Sequence, residues 1–140
     1  MKESLENRIN GIRFEQELCE ILAKNGFWAH NMAQREEGQP ADIIAVKNNV
    51  AVLIDCKVCE NDKFSLERIE PNQESAMTLW KNCGNLFYGF AVKLSNGDIH
   101  MLYPEAFECM NKKVLNKTDI REFDTFEDFL ISVNSYIKGD

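Results

Sequence analysis

Asp42 closes the triplet Pro40-Ala41-Asp42 and Asp55 opens Asp55-Cys56-Lys57; between them run two apolar stretches, Ile43 to Val46 and Val50 to Ile54, joined through Asn48-Asn49. An asparagine pair tolerates the left-handed backbone that a two-residue hairpin requires. Counted outward from that turn, Lys47 faces Val50, Ile44 faces Leu53 and Asp42 faces Asp55. Opposed residues of an antiparallel pair have Cβ atoms about 4.5–5.5 Å apart, a separation at which like charges destabilise the fold. The pair therefore calls for a cation. Lys57 shares a strand face with Asp55, but one ammonium answers two carboxylates poorly. A hard divalent ion does better, because Mg²⁺ is commonly held by one or two carboxylates, with water and phosphate oxygens completing its shell.

The elements around the hairpin follow from periodicity. From about Ser4 to Asn25, Gly11, Phe14, Leu18, Ile21 and Leu22 recur at three- and four-residue spacing, and Gly26 supplies a stop, so the spacing predicts an amphipathic helix. Glu15 lies within that stripe. It is either an acid at the border of the stripe, reaching water or a nearby arginine, or a third carboxylate aimed at the Asp42/Asp55 mouth. Phe27 to Met32 reads as a strand, and Gln34 to Gln39 as a polar loop carrying Arg35, which is placed to hold a phosphate or to stay solvated. His30 stands alone and reads as a structural or surface residue.

Phe64 to Leu66 reads as a short edge piece. Pro71 then opens a helix whose inward stripe is Gln73, Ala76, Met77, Trp80 and Cys83. Gln73 heads that stripe, as a helix-end cap or as a group reaching into the site. Leu86 to Leu94 is an apolar strand, and a helical crossover makes it the parallel neighbour of the Asp55 strand. Asn96-Gly97 turns the chain into a further strand, Ile99 to Tyr103. Pro104 to Met110 reads as a short helix and Asn111 to Phe123 as irregular. Thr125 with Asp128 caps a last helix with Phe126, Phe129, Leu130, Val133 and Ile137 on one stripe.

With 140 residues, 44% of them hydrophobic, the chain suits one domain with a sizeable core. No apolar run is long enough to span a bilayer and no signal-peptide core is visible, so a cytoplasmic protein is expected. Five scattered cysteines read as reduced thiols, and Cys56-x-x-Cys59 lacks the second ligand pair of a structural zinc site. The net charge of −7 is unlike the basic footprint of a general nucleic-acid binder. Residues 96–140 hold five Lys/Arg against nine Asp/Glu, and residues 1–95 eleven against fourteen, three of these being Glu15, Asp42 and Asp55. A bound cation would leave the N-terminal part near neutral.

The succession of a helix with Glu15, strands with Asp42 and Asp55-x-Lys57, and a helix with Gln73 resembles the PD-(D/E)xK nuclease superfamily, over roughly residues 10–104. It is most similar to RecU-type Holliday-junction resolvases and their phage relatives, through Phe14-Glu15, Pro40-Ala41-Asp42, Asp55-Cys56-Lys57, Phe64-x-Leu66-x-x-Ile69, Gln73, Gly84 before Phe87, and Leu102-Tyr103-Pro104. Two features depart from that branch: Asp55 replaces a usual Glu, and the Ala33–Gln39 loop is short where those enzymes project a stalk.

The resemblance implies a restriction-endonuclease-like αβββαβ core, an α/β fold with a mixed five-stranded sheet flanked by helices and an added C-terminal helix. It implies one nuclease-like domain over 1–140, with the core at about 4–104 and a helical extension at 105–140. It further implies Mg²⁺ or Mn²⁺ held by Glu15, Asp42, Asp55 and the Cys56 main-chain carbonyl, with Lys57, Gln73 and Glu15 as catalytic residues. Arg35, Lys63, Arg68 and Lys81 are the expected nucleic-acid contacts. The expected activity is metal-dependent endonucleolytic cleavage of branched or duplex DNA by a homodimer. The alternative is a nuclease fold retained as a non-catalytic DNA- or protein-binding module.

Overall fold

The computed structural model describes residues 5–32 and 39–139. Helix α1 (Leu5–Lys24) leads into strand β1 (Trp28–Asn31), then the hairpin β2 (Ile43–Lys47) and β3 (Val50–Cys59). Asn48 and Asn49 both adopt positive φ, at 47° and 67°, so the turn is of the primed kind whose twist matches the flanking strands. The pairing runs from Lys47 opposite Val50 to Ile43 opposite Ile54, the register expected from the turn.

Strand β4 (Phe64–Ser65) precedes α2 (Pro71–Asn82), which crosses over to β5 (Phe87–Leu94), parallel to β3. Strand β6 (Ile99–Leu102) completes the five-stranded sheet, in the order β1-β2-β3-β5-β6. It is a mixed α/β sheet flanked by helices, with the expected C-terminal helix present as α5 (Phe126–Lys138). The segment expected to be irregular differs. After α3 (Pro104–Met110), residues Val114–Leu115 form β7, which pairs with β4 in a separate two-stranded sheet, and Lys117–Arg121 form helix α4. Phe64 and Leu115, opposite each other in that ladder, are both fully buried.

Side chains alternate across the sheet and bury two cores. Phe14, Leu18 and Leu22 of α1 and Phe126, Phe129, Leu130 and Val133 of α5 cover one face against Ile43, Ala45, Val52, Ile54, Ala91 and Met101. The other face packs Leu53, Tyr88, Phe90, Val92 and Leu102 under Met77 of α2, Phe64, Leu115 and Ile120. Each fully buried Leu or Phe contributes roughly 1.5–3 kcal/mol of transfer free energy. Cys56 packs toward the first core and Cys59 is buried in the second, on opposite faces, so the CxxC spacing does not bring the thiols together. Among the described residues no helix is long and apolar enough to cross a membrane.

Candidate active site

Strand β3 outruns β2. The β2 ladder ends at Ile43, whereas β3 continues alongside β5 to Cys59. Beyond Ile54, the side of β3 that faced β2 is therefore open, and Asp42 occupies it. Its Oδ2 accepts the Cys56 main-chain N–H at 2.7 Å, so a carboxylate takes the place of the missing strand. N–H and C=O of one strand residue point to the same side, so the Cys56 carbonyl opens onto the same gap.

Asp55 and Lys57 project on the α2 face, in line with Leu53. Asp55 is 1% exposed and Asp42 8%. Asp55 Oδ2 lies 3.1 Å from Lys57 Nζ, an ion-pair distance, but among the described residues no donor reaches it in hydrogen-bond geometry. Asp55 Oδ1 accepts from Gln73 Nε2 at 3.2 Å. Gln73 Oε1 in turn accepts from Lys57 Nζ at 3.3 Å and from the Glu70 main-chain N–H at 3.1 Å. Both expectations for Gln73, a helix-end group and a group reaching inward, thus hold in one side chain.

Burial first, and the neighbouring Asp42 second, raise the Asp55 pKa from 3.8 to about 8, against the opposing pull of Lys57. Glu15 comes from α1, on the other side of the sheet; burial and then Asp42 raise its pKa from 4.5 to about 7, against the opposing pull of Asn31 at the end of β1. Asp42 is thus the hinge of the acid group, coupled to Asp55 on one side and Glu15 on the other. Burial and the surrounding acids push the Cys56 thiol up, leaving it without nucleophilic character.

Among the described residues, no three Asp, Glu, His or Cys side chains are gathered closely enough to form a metal cage. The donor set nonetheless fits a hard divalent cation. It comprises two adjacent carboxylates, a main-chain carbonyl facing the same gap, and a buried carboxylate oxygen that no donor among the described residues reaches, while Mg²⁺ keeps most of its shell as water. These groups share a mixed sheet in which α2 crosses over from β3 to its parallel neighbour β5.

A family model for archaeal Holliday junction resolvase (Hjc) matches residues 6–134. The chain belongs to the Hjc family. The 1.6 Å structure of Hjc from Archaeoglobus fulgidus, a resolvase of an archaeal hyperthermophile, superposes with a TM-score of 0.67 at 18% identity, covering 86% of this chain and 98% of that one. No curated protein sequence matches. The family is thus the archaeal one, and the match does not extend to the RecU-type affinity read from the sequence.

The expected nucleic-acid contacts are dispersed. Arg35 lies outside the described residues. Lys63 is exposed on the turn after β3. Arg68 is exposed as well, but its guanidinium donates to the Val58 carbonyl at 2.9 Å and lies over the Phe64 ring. Lys81 pairs with Glu105 at 3.6 Å on the α3 side of α2. Sequence reasoning missed Gln39, which is buried, donates Nε2 to Asp42 Oδ1 at 2.7 Å, and has its main-chain carbonyl held by Asn72 Nδ2 at 3.0 Å. Its only signal was a long amide three residues before an acid.

Proposed function

We propose that this protein is a divalent-metal-dependent endonuclease that resolves four-way DNA junctions. The observation that carries this reading is the coupled acid pair Asp42/Asp55, buried at the step between β2 and β3, with Lys57 and Gln73 locked onto it. Hjc-family membership supplies the substrate class. Asp42, Asp55 and the Cys56 carbonyl would hold Mg²⁺ or Mn²⁺, with Glu15 contributing a third carboxylate beyond Asp42. Such an ion supplies a nucleophile by lowering the pKa of bound water, and offsets charge at the phosphate.

The side chains do the rest. Lys57, held by Gln73 and Asp55, presents an ammonium where negative charge grows on the phosphate, and the Glu70 N–H fixes the Gln73 amide so that neither partner drifts. A cation held there would favour the charged form of Asp55 over the protonated form that burial favours. Exposed Lys63 and Arg68 flank the end of β3 and, with Arg35, make the phosphate contacts; Lys81 lies at the far end of α2.

A homodimer fits the same reading. Trp28 and His30 of β1 lie opposite Val46 and Ile44, on the face that carries Asp55 and Lys57. Their rings stack with centroids 5.6 Å apart. Asn72 points toward the β2 side of α2 by its bond to Gln39, and Leu79, two helical turns on, falls on that same side. Trp28, Val46, Leu79 and the adjacent Leu86 are 62%, 36%, 65% and 59% exposed. An apolar strip of this kind suits a second copy better than a phosphate backbone, and it would set two active sites side by side for paired cuts.

The test is cleavage of a four-way junction, a linear duplex and a single strand with Mg²⁺ or Mn²⁺, run alongside Asp55→Ala and Lys57→Ala. The expected result is metal-dependent junction cleavage that both substitutions remove. Equal activity in variants and wild type would sink the site assignment. An inactive wild type that takes up no Mn²⁺ in calorimetry would favour a non-catalytic binding module, in which the Lys57 ammonium is the acid pair's permanent counterion.

A further inference from the structure

Asp42 has no freedom left. Oδ2 accepts the Cys56 N–H and Oδ1 accepts Gln39 Nε2, both at 2.7 Å. Gln39 is itself clamped, because Asn72 Nδ2 holds its main-chain oxygen at 3.0 Å. Asn72 is the immediate neighbour of Gln73, which holds the other acid, Asp55. The first turn of α2 therefore steers both carboxylates: Asp55 directly through Gln73, and Asp42 indirectly through Asn72 and Gln39. One amide oxygen in this chain of contacts is left over. Gln39 Oε1 is buried and, among the described residues, meets no donor. A buried acceptor without a partner costs about 1–3 kcal/mol, and folding alone would favour an apolar side chain of the same shape.

We infer that Gln39 is a positioning residue of the active site, fixing by its Nε2 which lone pairs of Asp42 face the gap beside Cys56, and offering its free Oε1 to a water that enters with the cation. The inference rests on the functional reading above. Partners one step removed from a metal ligand typically change metal affinity or activity by about 10- to 100-fold when lost.

The experiment uses the full chain with Gln39→Met, which preserves side-chain length and removes donor and acceptor together, and Asn72→Ala, which cuts only the clamp on the main chain. Three quantities are read: Mn²⁺ affinity by calorimetry without DNA, kcat and KM on a four-way junction, and Tm in EDTA. Gln39→Met is expected to weaken Mn²⁺ binding and lower kcat by about 10-fold or more each, with KM within about twofold and Tm in EDTA not lowered. Asn72→Ala is expected to shift the same two quantities in the same direction by a smaller factor. A Gln39→Met protein whose Mn²⁺ affinity and kcat equal those of an active wild type overturns the inference alone. A fall in Tm in EDTA with unchanged Mn²⁺ affinity also overturns it, by assigning Gln39 a purely structural role. A wild type that neither binds Mn²⁺ nor cleaves overturns the functional reading, and this inference with it.

Discussion

The buried acid pair makes metal-free stability fall as pH rises, the opposite of ordinary acid denaturation. Unfolded, Asp55 loses its proton near its usual 3.8; folded, it keeps it to about 8. Between those values the folded chain binds more protons than the unfolded one, so stability is greatest at the acid end and drains away as pH climbs through the folded pKa. At about 1.4 kcal/mol for each tenfold change in proton affinity, the displacement corresponds to an upper limit of roughly 6 kcal/mol. Relaxation and water penetration halve this to about 3 kcal/mol. Between pH 5 and 9 only about three quarters of that span is crossed, a loss of about 2 kcal/mol, so at roughly 3–4 °C per kcal/mol for a domain of this size Tm in EDTA is expected to be about 7 °C lower at pH 9 than at pH 5. Glu15 is only half-buried and adds a smaller, solvent-screened increment in the same direction. Asp62 and Asp119, whose pKa values are lowered by hydrogen bonds, act below about pH 4 and leave the window untouched. The assay is thermal melting in EDTA from pH 5 to 9 for wild type and Asp55→Asn. The Asn variant should lose most of the slope and match or exceed the wild type at pH 9. A wild-type Tm that rises over this range, or an Asp55→Asn protein with the same slope, would refute the reasoning.

Three other outcomes are expected. Lys57→Ala should lower kcat on a four-way junction by about 10²–10³-fold, the usual cost of removing one preorganised charge-stabilising group, with the fold intact by circular dichroism. A Cβ at Gly89 would stand 2.6 Å from the Leu102 main-chain oxygen, so Gly89→Ala must push β6 away from β5 and should lower Tm, with lost protection of β6 amides in hydrogen exchange. Leu79→Glu or Trp28→Lys should shift light-scattering mass from dimer to monomer while Tm in EDTA changes little, since both side chains are exposed in the single copy.

The hairpin was legible because its turn chemistry and its alternation agree: Asn48-Asn49 fixes the register, and the register puts Asp42 at the level of Asp55. The parallel β3-β5 pairing was legible for a topological reason, since a helix intervenes. What stayed hidden is non-local and short. Strand β7 is two residues long and exists because Phe64, some fifty positions earlier, needs Leu115 as a partner; two residues show no period. The five-residue α4 is held by the Asn116–Asp119 cap and by Ile120 in the core, again without a periodic signal. The sequence likewise could not tell on which side of α2 Lys81 would fall, because that depends on where Glu105 of α3 comes to rest. Nor could it show that Asn72 reaches back to Gln39.

The two borders of the sheet are not equivalent. Along β6, the Met101 N–H donates to the Asp124 carbonyl and His100 bridges Thr125, so the segment entering α5 lies over that border. Along β1, no such cover is formed among the described residues, and the strand is only four residues long. Among the described residues, β1 is thus the open border of the five-stranded sheet, and two β1 strands that met would leave each such sheet with its covered β6 border outermost. Association through β1 would thus be self-limiting for this sheet, ending at two chains rather than propagating into fibres.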